Sequence, residues 1–248
     1  MTNITMDLFY ETLMDLIDVT YEKEVKNIEA AAQICAESIA NNGVVHVFGS
    51  GHSVGFGLEI QNRVGSLAPI HTIRLDDFVT KGKTTLADFK NPDNIFERRP
   101  GIADQLYDLY PMDKNDAFII ISNSGINGVV IDMAITAKQR GHKVVVVTSW
   151  QHTSSENSRH PSGKKLYELG DVVIDNCGPK GDALIETGGP EKICSVSSIT
   201  GAFIAQGIAV EICRLLDEQG IEAPVYRAET EENKEYNQTL IEKYAARV

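Results

Sequence analysis

The feature that most constrains this chain is a set of apolar runs that do not alternate. Val44–Phe48, Ile70–Arg74, Ala117–Ile121, Lys143–Thr148 and Asp171–Ile174 are mostly solid stretches of valine, isoleucine and phenylalanine. A strand with one wet face alternates apolar and polar residues, so solid runs belong to strands covered on both faces. Between the runs, Val54–Val64, Gly101–Tyr110, Gly128–Arg140 and Gly163–Leu169 carry apolar residues at helical spacing. Strand and helix in alternation build a parallel sheet from right-handed crossover units. The chain is therefore predicted to be an α/β protein.

The two ends add helices. From Met6 to Ala40, Leu8, Leu13, Leu16, Ile17, Tyr21, Val25, Ile28, Ala32, Cys35 and Ile39 recur at helical spacing, and Asn41-Asn42-Gly43 supplies the stop. That is one long helix or two successive ones. Ser195–Gln219 reads as a further, largely apolar helix, and Glu229–Ala246 as an amphipathic one. The domain plan is a helical extension over 1–42 packed on the domain, a domain over 43–220 and a C-terminal helix over 221–248. Two segments break the rhythm: Asp76–Pro100, which is rich in charge, and Gln151–Ser162, QHTSSENSRHPS. Loops this long are lids, binding loops or disordered segments.

Composition narrows the partners. With 248 residues, 42% of them hydrophobic, and 8 prolines, the chain can bury one sizeable core. The 23 basic against 35 acidic residues give a net charge of −12, which repels nucleic acid and anionic membrane surfaces. Cys35, Cys177, Cys194 and Cys213 show no C-x-x-C pairing and are read as buried, reduced thiols. The start, MTNITMDLFYET, has no basic region leading into an apolar one, and no apolar run approaches the roughly 18 residues of a membrane span. A cytoplasmic protein is expected.

The chemistry gathers at two strand-to-helix turns with the same grammar. VVHVFGSGHS, residues 44–53, runs from an apolar strand into glycines and hydroxyls, and AFIIISNSGIN, residues 117–127, does so again before a helix. Free amides and the helix dipole favour an anion at such turns. In an open parallel sheet the turns lie at the carboxyl ends of the strands, where ligands bind at the topological switch point. A phosphate fits there without any lysine or arginine in reach. The bland alternative makes Ser50, Ser53 and Ser124 helix N-caps; two matched turns weigh against it. GSGHS is neither a dinucleotide-binding G-x-G-x-x-G nor a P-loop, so no cofactor is expected.

FGSGHS followed by ISNSGIN and AKQRGHKVVVVTS resembles the sugar isomerase (SIS) domain, whose phosphosugar binders pair a G-x-G-x-S turn with an S-x-S-G turn. GGPEKICSVSSITGAFIAQ, from Gly188 to Gln206, resembles the G-P-E and serine pair at a helix start in glucosamine-6-phosphate synthase and N-acetylmuramic acid 6-phosphate etherase. The resemblance covers roughly residues 10–217. It implies a flavodoxin-like three-layer sandwich around a five-stranded parallel sheet. It also implies a sugar phosphate held by Ser53, Ser122, Ser124 and Asn127, with Ser50, Gly51 and Asn123 completing the turns and Ser197 and Ser198 against the sugar. Family members isomerise aldose and ketose phosphates, cleave lactyl ethers or sense phosphosugars. The expectation is an aldose-ketose isomerase; the alternatives are a non-catalytic sensor and an elimination on an amino-sugar phosphate. His52 inside the glycine turn and the Asp76–Pro100 insertion depart from the familiar isomerases. The apolar stripes of the N- and C-terminal helices exceed what a five-stranded sheet needs, and SIS proteins typically pair, so a homodimer or homotetramer is expected.

Isomerisation through an enediolate needs a base beside the sugar carbonyl, usually a carboxylate or histidine. Glu191, in the turn before Ser197, is the first candidate. Glu59 is the second, with an i,i+4 salt pair to Arg63 as its competing role. His52 is placed as acid or orienting group, and Asp182 and Glu186 rank lower. His71, at the start of a strand, is read as structural. His152 and His160 have no carboxylate or cysteine at ligand spacing, so no metal site is predicted.

Overall fold

A computed structural model of the chain describes residues 4–247. A helix α1, Met6–Ala40, starts on the Thr5 hydroxyl, which accepts from the Leu8 amide, and runs unbroken for 35 residues. Then follow β1 Val45–Gly49, α2 Val54–Ile60, β2 Ile70–Ile73, the short α3 Asp77–Thr80 and α4 Leu86–Phe89, and α5 Ile102–Tyr107. β3 Ala117–Ile121, α6 Gly128–Gln139, β4 Lys143–Thr148, α7 Trp150–Ser155 and β5 Val172–Asp175 continue the alternation. A hairpin of β6 Ala183–Glu186 and β7 Lys192–Ser195, α8 Ser197–Glu218 and α9 Glu231–Tyr244 complete the chain.

The five long-range strands pair in parallel in the order β2-β1-β3-β4-β5. Both faces are covered, as the solid apolar runs require. Val45, Val47, Ile119, Ile121, Val145 and Val147 point to one side, where α1, α2 and α8 pack. Phe48, Ile73, Phe118, Ile120, Val144 and Val146 point to the other, under α5, α6 and the 76–110 region. Ala31, Ala32 and Ala36 of α1 are buried, and small residues let its C-terminal half lie close against α8. This is the predicted α/β three-layer sandwich with extra terminal helices. α9 closes one end through Leu240 and Tyr244, which pack with Val44 and Ala68.

Several local readings change. α2 stops at Ile60 instead of Val64 because Asn62 and Gly65 take positive φ (51° and 84°) and Gln61 Oε1 accepts from the Thr72 amide at 2.6 Å, tying the chain to β2. Gly163–Leu169 is a single tight turn, not a helix; its helical spacing reflects the burial of Leu166 alone in a segment that starts at Gly163 with φ 72°. The 151–162 segment opens as α7, capped by Ser149, whose hydroxyl accepts from the His152 amide. The 76–100 segment is folded: Phe78 meets Phe96 edge-on and Phe89 meets it tilted, each at a centroid spacing of 5.0 Å, and Asp88 takes Arg99 in a two-pronged ion pair. The thiols differ from expectation in that Cys35 alone is buried, while all four are free. α8, with a hydropathy of 1.5, is long and apolar enough by composition to cross a membrane. Here Ile204, Ala205, Ile208, Ile212 and Leu216 bury its apolar face against the sheet.

Candidate functional site

β1 delivers the first turn into a tight bend. Gly49 has no room for a side chain, since a Cβ there would lie 2.8 Å from that of Ser53, and Gly51 takes φ 58°. Residues Gly51–Ser53 form one narrow helical turn that runs directly into α2. Neither Ser50 nor Ser53 caps it with its hydroxyl. The N-cap reading of these serines is therefore set aside.

β3 delivers the second turn. The Ser122 hydroxyl accepts from the Gly125 amide (3.1 Å), which fixes the bend, and Gly125 adopts φ 62°. A Cβ on Gly125 would fall 2.6 Å from Thr153 Oγ1 and 2.7 Å from Thr148 Oγ1, so the backbone presses on the next strand's turn. Asn123 is anchored by Asn176, whose Nδ2 donates to its Oδ1 at 2.9 Å. Asn127 stands at the N-cap of α6 without capping it, and its Oδ1 accepts from Arg159 Nη1 at 3.0 Å. Ser124, a candidate cap in sequence, makes no hydrogen bond with its hydroxyl among the described residues. The first-turn amides of α6 thus keep their donors, as an anion requires.

The third segment is built by Asp182, which holds φ 72°. Its Oδ1 accepts from the amides of Ser197 (2.7 Å) and Val196 (3.2 Å), and its Oδ2 from the Ser197 hydroxyl (2.8 Å). Asp182 therefore opens α8 and leaves Ser198 exposed beside it. A cleft of about 130 Å³ brings His52, Ser53, Asn123, Asp182, Ser197 and Ser198 together, with Phe56 as an apolar wall. It lies at the carboxyl ends of the strands where β1 has β2 on one side and β3 on the other. That is the switch point of this strand order.

Two predicted bases lie elsewhere. Glu59 reaches Arg63 at 2.9 Å and accepts from Gln206 Nε2 at 2.9 Å, in a separate hollow between α2 and α8. Glu191 is exposed in the loop joining β6 to β7 and does not line the cleft. Glu186 pairs with Lys192 at 2.8 Å. His71 is buried within β2, and His160 contacts Asp132 at 2.7 Å. Sequence reasoning missed Asn176 and Arg159, which hold the second turn from 53 and 32 residues away. Neither leaves a local pattern. Among the described residues no cluster of three or more histidine, cysteine or acidic side chains is placed to hold a metal.

A flavodoxin-like sheet with two hydroxyl-bearing turns at its switch point defines an α/β protein with a polar crevice at the carboxyl ends of its strands. The chain belongs to the SIS domain family, which matches residues 8–149. It is similar to UPF0309 protein BH3325 of Halalkalibacterium halodurans, with 35% identity over 238 residues and 95% of each chain covered. It is likewise similar to UPF0309 protein lmo0025 of Listeria monocytogenes, with 34% identity over 242 residues and 97% of each chain covered. In fold it is similar to a phosphoheptose isomerase from Francisella tularensis (TM-score 0.55, 18% identity, 84% of this chain and 96% of that one). The phosphoheptose isomerase GmhA from Neisseria gonorrhoeae gives a TM-score of 0.54 at 15% identity, with the same coverage.

Proposed function

We propose that this SIS protein binds a sugar phosphate at the paired serine turns and interconverts its aldose and ketose forms through an enediolate. The observation that carries the reading is the state of the turns. Ser50, Ser53 and Ser124 have hydroxyls with no partner among the described residues, beside a helix start whose capping residue does not cap. Donors left open in this way suit a phosphate. The Ser197-Ser198 corner, which shares a cleft with Ser53 and Asn123, is then the contact for the sugar.

Isomerisation moves a proton between C1 and C2, and the base must reach that proton. His52 lines the cleft next to Ser53, whereas Glu59 and Glu191 lie outside it within one chain. Proton transfer is assigned first to His52, with Glu191 and Glu59 as the comparators. The test is solvent exchange of the C2 proton of bound sugar phosphates, followed by NMR. His52→Gln is expected to retain binding and lose exchange by about a hundredfold, the lower end of general-base contributions. Loss of exchange in Glu191→Gln or Glu59→Gln, with His52→Gln active, transfers the role to that carboxylate. A second reading, phosphosugar binding without catalysis, is favoured by Asp182: the carboxylate lining the cleft already accepts three hydrogen bonds. Binding by the parent protein without any exchange establishes that alternative.

A further inference from the structure

The two segments that break the strand and helix rhythm meet in space. Arg98, Arg99 and Pro100 of one and Arg159, His160 and Pro161 of the other enclose, with the first turn of α6, a cavity of about 640 Å³. The cleft at Ser53, about 130 Å³, falls below the roughly 300–1,000 Å³ of small-molecule sites. A whole sugar phosphate exceeds it. The larger cavity lies across the same turn, since Asn123 lines the cleft and Asn127 lines the cavity. Four residues separate these two, at most about 14 Å of chain.

The charges around the cavity are selective. Of the nine arginines in the sequence, seven are held by carboxylates: Arg63, Arg74, Arg99, Arg140, Arg214, Arg227 and Arg247. Arg98 and Arg159 have no such partner among the described residues, and both line this cavity. In a chain of net charge −12, two guanidinium groups without a carboxylate ion pair at one place, Arg159 acting on Glu156 only through its charge, suit an anion. Arg159 is also set in position: its amide donates to the Ile126 carbonyl at 3.0 Å and its Nη1 to Asn127 Oδ1 at 3.0 Å. Two carboxylates share the lining, Glu97 and Asp132, and Asp132 is turned onto His160 Nε2 at 2.7 Å. Guanidinium forks match carboxylate and phosphate oxygens two at a time.

We propose that Arg98 and Arg159 receive a second anionic group of the ligand, so that the substrate class is a sugar phosphate bearing a further phosphate or a carboxylate. This rests on the phosphosugar reading above. The phosphate at the serine turns and the second anion at the arginines then straddle the turn 122–127.

Calorimetric titration of the full chain with matched probes tests it. Fructose 6-phosphate is compared with fructose 1,6-bisphosphate, and glucose 6-phosphate with 6-phosphogluconate. The ligand with the second anion is expected to bind at least about tenfold more tightly in one pair or both, the yield of hydrogen bonds to a charged acceptor. The pair that shows the preference identifies phosphate or carboxylate as the group. Arg98→Gln, on an exposed side chain with no bond to the serine turns, should reduce the preference and leave monophosphate affinity unchanged; adding Arg159→Gln, which also frees Asn127, should abolish what preference remains. Ser124→Ala should weaken all the probes that bind. Equal affinity within both pairs, or a preference that survives the double substitution, overturns the inference while leaving the monophosphate site intact. Failure of the parent to bind any of the four overturns the phosphosugar reading and this inference together.

Discussion

At the residue scale, the network around Asp116 shows how buried polar groups set a pH dependence. Asp116 accepts from the amides of Val44 (2.8 Å) and Asp113 (2.7 Å), pairs with Arg247, and lies 3.2 Å from His46 Nε2. An ionised carboxylate only accepts, so His46 carries its proton on Nε2 and presents Nδ1 as acceptor to His71 Nδ1 at 3.1 Å. Both imidazoles are neutral. Burial lowers the pKa of His46 against the opposing pull of Asp116, and burial, aided by His46 and Lys81, lowers that of His71 to about 3. Burial pushes the Asp116 carboxyl upward, but His46 and the two amides outweigh it and hold it at about 2. The unfolded chain takes up protons on both histidines below their ordinary value of 6.5, and the folded chain does not. Stability is therefore full above that pH and falls as the pH drops from there toward 3, by about 1.4 kcal/mol per pH unit from His71, with His46 adding in the same direction. Urea unfolding between about pH 7 and 5 should show this slope, reduced in His71→Asn; a flat profile contradicts the network. His71 was legible as a structural residue from its place at a strand start. Asp116 was not, because its partners lie 70 and 131 residues away and no spacing announces them.

At the element scale, the proposed phosphate site rests on two turns, and their glycines set their shape. Gly125→Ala must accept φ 62° and displace the Thr148–Thr153 hydroxyl contact of 2.8 Å. The left-handed conformation alone costs about 1–2 kcal/mol. Denaturant unfolding should register at least that loss, and a variant as stable as the parent would show that the turn relaxes without strain. The sheet strands were legible because burial on both faces leaves a solid apolar run, which marks its own ends within a residue. The hairpin was not. β6 and β7 are four residues each, the first half-exposed and the second mostly exposed, and read as loop. Their signal was the T-G-G-P-E stretch between two short runs containing Ile185 and Ile193, a glycine-bearing hairpin loop. Its consequence is large, because the hairpin carries Glu191 away from the cleft and leaves Asp182 at its mouth.

At the scale of the whole molecule, one face of the fold lacks a covering. Met6, Tyr10 and Tyr21 on the N-terminal half of α1 are 71%, 59% and 56% exposed, while the C-terminal half of the same helix is core. We propose that this stripe is an association surface. Light scattering at micromolar concentration should give at least twice the mass of one chain; a monomer contradicts the assignment of this stripe to an interface. The convergence of the 76–100 and 151–162 segments also belongs to this scale, since each reads only as an unusual loop until the sheet brings them together. The central claim is that the paired serine turns hold the phosphate of a sugar phosphate, and titration of Ser53→Ala and Ser124→Ala tests it most directly. Each substitution removes a hydrogen bond to a charged acceptor, about 1.5–3 kcal/mol, so affinity for a sugar phosphate should fall roughly tenfold or more while the fold survives. Both variants binding it as tightly as the parent would place the phosphate somewhere else.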